Sequence, residues 1–499
     1  MLLGLILSSV ALQVVAGDWK ITPTIAVNET ATDNVALDKT NKNDLISDIS
    51  PGIRIAGSGG RSKLNVDYQL HDLIYARDSS RNNTQNSLNA QGTLEALENW
   101  LFIDASGVIS QQSISAFRGA TSTSVNTSTN NNTTETSTYR ISPYFRGSFG
   151  SLADYQLRYN RSTTNTKSGP SFDSDTSEWI GSLKGKTVLA SLGWTLDASS
   201  QTVKFSDGRK NEADRLRGVL SYEVTPAVRL SLIAGREAND YLTTSKQSHT
   251  TKGFGLDWEP SNRTKISASR EDRFFGKSNY FNLTHRTAGT AWKYSESKDA
   301  TVLPTQQASA GLGTFYDLAL NICSSILPPG STAAQQAACA TALLGPIPPN
   351  NLVPGGFLSS GVTLQKRRDL SFALVGVRNT VTFAATQTES QSLSQSVGSD
   401  FLAGEDFSQS TDIRQRGGSV NWSHKLTPMS SLTGTFSRMT SSGTGGSSTM
   451  ETIQKVMTLN FTTKLGPNTN AGLGARHMVS DGTSSYTESA LTGMLSHQF

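Results

Sequence analysis

The sequence predicts an all-β protein: a transmembrane antiparallel up-and-down β-barrel of about 22 strands, within a range of roughly 18 to 22. Three observations predict this fold. The 499 residues are only 35% hydrophobic and 17% charged, with 43 Gly and abundant Ser, Thr and Asn. Apolar and polar residues alternate with a period of two. Short turns with Pro or Gly alternate with long polar loops, as in outer-membrane barrels with short periplasmic turns and long extracellular loops.

The N-terminal residues 1–17 are expected to be a signal peptide. The stretch 2–16 is apolar, and Val14, Val15 and Ala16 form a small-residue cleavage site before Gly17. A buried N-terminal strand or helix is the alternative. No later segment reaches about 18 uninterrupted apolar residues, so no helical span is predicted. We therefore expect residues 18–499 to form a single barrel in the cell outer membrane.

The alternation is clearest in residues 64–75, 455–465 and 471–480. In each segment, apolar side chains recur at alternate positions, and the side chains between them are mostly polar or small. Runs of about 10 residues suit a tilted transmembrane strand with one lipid-facing and one water-facing side. The polar residues expected to face the lumen are Asn65, Asp67, Asn421, Thr458 and Asn460.

Two classes of connection follow one another along the chain. The short class is marked by Pro226, Pro260, Pro428 and Pro467, because Pro presets a turn and cannot continue a central strand. The long class is polar, and its largest member, 303–361, is predicted to carry short helices around 315–327 and 333–344. The other long loops are predicted at 119–136, 162–176, 239–249, 390–411 and 441–449. This order places every Pro turn in the periplasm.

The chain ends in Phe499, on the alternating segment 486–499. A C-terminal Phe on an alternating strand is a familiar mark of barrels that are inserted into bacterial outer membranes. We therefore expect Phe499 to be part of a C-terminal insertion signal.

An arginine recurs after each Pro turn: Arg236, Arg270, Arg438 and Arg476 follow their prolines by 10, 10, 10 and 9 residues. These side chains could line the lumen and attract anionic groups. Alternatively they could lie at the outer rim, where they would snorkel or pair with carboxylates. Ten residues from a periplasmic turn is about one membrane thickness, which favours the rim.

The two cysteines, Cys323 and Cys339, both lie in the 303–361 insertion. An exported chain retains disulfides, so these residues are expected to close a local loop. Two unpaired thiols are the alternative. Neither cysteine has a neighbouring His or further Cys, so a metal site is not predicted.

No pattern in the sequence predicts an active site, and the chain is not expected to be an enzyme. The six His residues form no HxxxH or HxxE pair, and no phosphate-binding glycine motif lies between a strand and a helix. We therefore predict no cofactor, no metal and no catalytic residue. The net charge of +4 comes without a basic cluster, so no nucleic acid partner is expected.

Several short segments of the chain, in their order and spacing, resemble outer-membrane proteins associated with the PEP-CTERM/exosortase system of Gram-negative bacteria. The resemblance covers nearly all of the mature chain and brings no catalytic residues. It implies an outer-membrane barrel encoded with exopolysaccharide genes. The segments are Trp19-Lys20-Ile21-Thr22-Pro23, Ile49-Ser50-Pro51-Gly52-Ile53, Arg61-Ser62-Lys63-Leu64 leading to Tyr68, 279–287 and 376–380.

The resemblance and the polar inner faces together predict a barrel that supports exopolysaccharide export or assembly at the cell surface. The partners expected from this hypothesis are outer-membrane lipid, exopolysaccharide and periplasmic export components. A general diffusion porin, a structural or adhesive surface barrel and an outer-membrane hydrolase are the alternatives. The 303–361 loop is long enough to constrict a pore but is nearly uncharged before Lys366.

Overall fold

The computed structural model describes residues 17–119, 125–168, 172–187, 189, 191–243, 245–303, 323, 356–393, 405–446 and 450–499. The predicted signal peptide and the two helices predicted in the 303–361 insertion lie outside the described residues, except Gly17 and Cys323. Within the described residues, no helix is long and apolar enough to cross a membrane.

In the described residues, twenty-two antiparallel strands form one sheet, which confirms the predicted all-β barrel and its strand number. Their bounds are β1 Asp18–Thr32, β2 Asp44–Ser58, β3 Ser62–Tyr75, β4 Asn83–Leu97, β5 Leu101–Ser113, β6 Thr133–Phe149, β7 Ala153–Thr166, β8 Ser174–Lys186, β9 Leu192–Phe205, β10 Lys210–Thr225, β11 Val228–Asn239, β12 Gln247–Ser261, β13 Thr264–Arg273, β14 Gly276–Arg286, β15 Thr290–Thr301, β16 Thr363–Val375, β17 Asn379–Ser392, β18 Asp412–Lys425, β19 Ser430–Thr444, β20 Met450–Lys464, β21 Thr469–Gly482 and β22 Tyr486–Gln498. Single 3₁₀ turns occupy Ser79–Arg81 and Asp406–Ser408.

The sheet closes on itself because each strand pairs with the next and β22 pairs with β1. Thr24 to Thr32 lie opposite Gln498 to Ala490, and the Phe499 amide donates to the Pro23 carbonyl at 3.0 Å. Closure matters in lipid because an open sheet edge would leave backbone groups without partners, at several kcal/mol each. The polypeptide ends therefore complete the wall on the side of the short turns.

The two faces of the wall follow the alternation in the sequence. On β1, Ile21 and Ile25 are exposed on the outer face, while Thr22 between them is buried on the inner face. The strand register keeps apolar side chains on the outer face from one strand to the next, since Ile21 lies opposite Ile55 and Ile55 lies opposite Val66. Only the lipid-facing half of each strand needs to be apolar, which explains the low overall hydrophobicity.

Most tryptophans lie near the short-turn ends of the strands. Six of the seven are found there, and all of them are on the outer face or in a turn: Trp19, Trp100, Trp194, Trp258, Trp292 and Trp422. Trp and Tyr concentrate where the hydrocarbon meets water and form the girdles of outer-membrane barrels. The short-turn ends of the strands therefore lie at a membrane surface, and in outer-membrane barrels the short turns are on the periplasmic side.

The strands are longer than predicted, and the loops are correspondingly shorter. Strand lengths run from 10 residues in β13 to 17 in β6. The loop predicted at 119–136 ends at Asn132, because β6 already begins at Thr133. Ser, Thr and Asn continue the strands beyond the hydrocarbon because each neighbouring strand supplies backbone partners there, and Thr has a high strand propensity.

Candidate functional site: the lumen of the barrel

The five polar residues predicted to face the lumen all lie on the inner face. The Asp67 carboxylate accepts a hydrogen bond from Nη2 of Arg54 at 2.8 Å, across the β2–β3 pair. Asn421 donates to Oγ1 of Thr435 at 2.9 Å. On β20, Thr458 and Asn460 lie between the exposed, lipid-facing Met457 and Leu459.

The inner face of β17 to β20 forms an uncharged wall, which we call the hydroxyl wall. It comprises the inward positions within 382–390, 413–423, 431–443 and 452–462. Eighteen of these 24 positions carry a hydroxyl or amide side chain, and none carries a charge. Neighbouring hydroxyls also bond to each other across strands, as Ser431 and Thr462 do at 3.1 Å. Fourteen of the eighteen polar side chains are buried, so the accessible hydrogen-bonding groups of this wall are those of Thr435, Gln454, Thr458 and Asn460.

The inner face of β8 to β15 is charged instead and lines a recess of about 650 Å³. Glu271 accepts from Nη2 of Arg217 at 2.6 Å and from Nη2 of Arg215 at 3.0 Å. Next to them, Arg273 donates to Glu237 at 2.9 Å and to Asp299 at 2.6 Å. Each charge in this network has an opposite charge beside it, so the recess is polar without a large net charge.

Two glycines make room for this network. A Cβ on Gly253 would lie 2.8 Å from Cγ of Glu271, and one on Gly235 would lie 3.1 Å from Cα of Arg217. Both glycines face inward, next to the side chains that they accommodate. Nearby, Oγ1 of the buried Thr251 has no hydrogen-bond partner among the described residues.

Parts of three loops fold over the extracellular mouth, and we call 114–119, 356–362 and 405–411 the roof. Phe117, Phe357 and Phe407, one from each segment, pack on Ile413 of the wall, and all four are buried. Oγ1 of Thr452 donates to the Phe117 carbonyl at 3.0 Å. The first of these segments leaves the wall at the end of β5, whereas Thr452 belongs to β20. The shorter path around the sheet from β5 to β20 is seven strand spacings, or roughly 34 Å at about 4.8 Å per strand. The first segment therefore crosses the mouth.

Two buried carboxylates tie the roof segments together. Asp406 accepts from the Ser115 hydroxyl at 2.6 Å and from the Ala116 amide at 2.7 Å. Glu405 accepts from the amide of Ser360 at 3.0 Å and from its hydroxyl. Ser360 in turn accepts from Arg209 in the β9–β10 turn at 3.0 Å.

Burial raises the pKa of Asp406 to about 6, although the bonds from Ser115 and Ala116 lower it. A carboxyl whose pKa is raised on folding stabilises the folded arrangement when it is protonated. The contribution is complete below the ordinary pKa near 3.8 and is lost as the pH rises through about 6. The roof is therefore held more strongly at acidic pH.

The four repeated arginines do not share one face. Arg236, Arg270 and Arg438 lie on the outer face near the extracellular ends of their strands, while Arg476 lies on the inner face. Arg476 donates to the fully buried Glu488 at 2.6 Å. The difference follows from the spacing, because a shift from ten residues to nine moves a strand residue to the opposite face.

The remaining predicted residues lie away from the lumen wall or outside the described residues. Cys323 is fully buried and disulfide-bonded, and Cys339 lies outside the described residues. Phe499 is exposed at the periplasmic end, where its ring meets that of His497 edge-on at 4.7 Å. Within the described residues, no group of three or more His, Cys, Asp or Glu could hold a metal ion.

Sequence reasoning missed the charged network and the roof. The network had a signal in the sequence, because Arg215 and Arg217, like Glu271 and Arg273, are charged residues spaced by two and so share one face of a strand. The roof had a weaker signal: Phe117 lies just before the polar loop 119–136, and Phe407 lies in the loop 390–411, which also contains Phe401.

Comparison with known proteins bears on the fold. No protein-family model and no curated protein matches the sequence. Among solved structures, the FrpB iron transporter from Neisseria meningitidis is similar with a TM-score of 0.51 at 10% identity, over 96% of this chain and 82% of that chain. The siderophore receptor PirA from Pseudomonas aeruginosa is matched with a TM-score of 0.47 at 8% identity, over 96% and 80% of the two chains.

The closed 22-strand sheet, its lipid-facing apolar surface and its aromatic girdle define an integral β-barrel protein of the Gram-negative outer membrane. The similarity to the FrpB barrel at 10% identity supports this fold and does not extend to its transported substance.

Proposed function

We propose that this barrel supports the export or assembly of a hydroxyl-rich exopolysaccharide at the cell surface. The hydroxyl wall carries the proposal. A conduit must bind its cargo well enough to admit it and weakly enough, at many sites, to release it. Thr435, Gln454, Thr458 and Asn460 are the members of the wall that are not buried, and their hydroxyl and amide groups can exchange hydrogen bonds with successive sugars without a single strong site.

The roof also favours this proposal rather than the alternative of a permanently open diffusion pore. A general diffusion porin needs a continuous water path, whereas here three segments meet over the mouth around a buried aromatic cluster. These segments lie across the path that such a pore needs, which suits a barrel that opens for a particular cargo. The resemblance to exosortase-associated proteins also favours a polysaccharide as the cargo.

The test is surface polysaccharide in a strain that lacks the gene and is complemented with variants. Replacing Thr435 and Thr458 by Val removes two inward hydroxyls that are not buried and preserves side-chain shape. The matched control replaces Thr440 and Thr463, which lie on the outer face of β19 and β20. We expect the inward variant to lower the surface polysaccharide severalfold and the control to restore it fully.

Two results would contradict the proposal. Deletion of the gene with unchanged surface polysaccharide would exclude a role in export or assembly. If the purified protein then shows a steady conductance in planar bilayers, the diffusion porin becomes the better interpretation. Equal amounts of polysaccharide from the inward and outward variants would show that the hydroxyl wall does not handle the cargo.

A further inference from the structure

Three cations crowd together on the outer face of β18 to β20. Arg438 of β19 lies directly opposite Lys455 of β20. On its other side Arg438 lies opposite Gly418 of β18, and Arg416 is two residues along β18 from Gly418, which places Arg416 diagonally from Arg438. Directly opposed side chains have Cβ atoms about 4.5–5.5 Å apart, and like charges at that position destabilise a sheet. A counter-charge from outside the wall would remove this repulsion.

The wall itself supplies little of that counter-charge. Lys455 has Asp481 at 3.7 Å, whereas Arg416 and Arg438 have no ion-pair partner in the part of the chain that the structure describes. A second pair on the same face, Lys298 of β15 opposite Lys366 of β16, is better compensated, because Lys366 lies 3.5 Å from Glu296.

The height of these cations places them at the lipid headgroups. On the same face, one step toward the periplasm, Phe436 and Met457 are exposed to lipid, and Val420 follows on β18. Arg438 is ten residues from Pro428 in the periplasmic turn. Tilted strands of about 9–11 residues span the hydrocarbon, so these side chains emerge at the outer leaflet surface.

The β11–β13 sector presents a similar group at the same level. Arg236, Lys252 and Arg270 lie on three adjacent strands and on the outer face, with each cation diagonal to the next. Asp272 lies opposite Lys252, and Arg236 donates to Ser248 at 2.5 Å. The three repeated arginines that face outward therefore belong to two cationic groups at one height.

We infer that the outer group formed by Arg416, Arg438 and Lys455 binds the phosphates of an anionic lipid in the outer leaflet. Guanidinium groups hold phosphate oxygens through paired hydrogen bonds, and clustered cations at a membrane surface attract anionic headgroups. A lipid fits better than free phosphate because the surface below the cations is covered by acyl chains. This inference is independent of the polymer passing through the lumen.

The experiment uses the full protein in neutral detergent. Phosphorylated lipid A, enzymatically dephosphorylated lipid A and inorganic pyrophosphate are each titrated, and bound adducts are counted by native mass spectrometry. The test variant is R438Q/K455Q. The control is K425Q/K464Q, which removes the same charge at the periplasmic ends of β18 and β20.

We expect the wild type and the control to bind phosphorylated lipid A equally, and R438Q/K455Q to bind it at least about tenfold more weakly. Equal binding by R438Q/K455Q and the control would overturn the inference, as would equal binding of the dephosphorylated lipid. If pyrophosphate alone binds as tightly as the lipid, the group is a phosphate site and not a lipid-docking surface.

Thermal unfolding gives a second readout that a purely structural role would not produce. In lipid-free detergent, R438Q relieves the repulsion with Lys455 and should leave the melting temperature unchanged or raise it. With phosphorylated lipid A present, the same variant should gain less stability than the wild type. A lower melting temperature in both conditions, with an unchanged gain from lipid, would contradict the inference.

Discussion

Phe407 offers the most direct test of whether the roof controls passage through the barrel. Its side chain is 1% exposed and packs on Phe357, with ring centroids 5.8 Å apart, and in the cluster with Phe117 and Ile413. Truncating a buried Phe to Ala costs about 3–5 kcal/mol. The cost applies to the closed roof and not to the wall, because the cluster joins loops to the rim. A loss of 3 kcal/mol would shift the closed-to-open ratio by at least about a hundredfold.

The assay is conductance in planar bilayers, with liposome swelling in small sugars as a second measure. F407A should raise the open fraction strongly, while the folded barrel still migrates as the heat-modifiable form on gels. F436A is the matched control, because Phe436 is exposed to lipid on β19 and touches no roof segment. If F407A and F436A conduct like the wild type, the roof does not control permeation and the reasoning is wrong.

Three further predictions follow from buried or luminal charges. In thermal unfolding, R476Q should lower the free energy of unfolding by about 3–5 kcal/mol, because it leaves the buried Glu488 carboxylate without its cationic partner. R54Q, which removes one member of an exposed pair, should cost under about 1 kcal/mol. Similar losses of stability in the two variants would refute this. E271Q should shift ion selectivity toward anions and R217Q toward cations in reversal-potential measurements, and identical potentials would contradict the luminal assignment. Raising the pH from about 4 to 7 should weaken the roof by up to about 3 kcal/mol and raise the open fraction, and D406N should abolish this dependence.

The wall of the barrel could be predicted from the sequence because one rule governs all of it. Period-two alternation identifies a lipid-facing side, and Pro turns such as Pro226 and Pro467 separate one strand from the next. Neither signal depends on distant parts of the chain. The strand number and the membrane location follow from the same local pattern, and both are confirmed.

The lumen and the roof could not be predicted in the same way because they depend on contacts between distant segments. Asp406 meets Ser115 across 291 positions of the chain. Nothing near either residue indicates that contact. The arginine repeat shows a related difficulty, because Arg476 resembles its three counterparts in sequence but is displaced by one residue. In a strand, that one residue decides between lipid and lumen.

The barrel does not have a level upper edge. β13 contains 10 residues and turns into β14 through only Phe274 and Phe275, whereas β6 contains 17. The described rim is therefore low at the β13–β14 hairpin, next to the charged recess. Within the described residues, the charged recess therefore lies beside the shortest strand of the wall, and the ion pair of Arg273 sits at the outer edge of the sheet there.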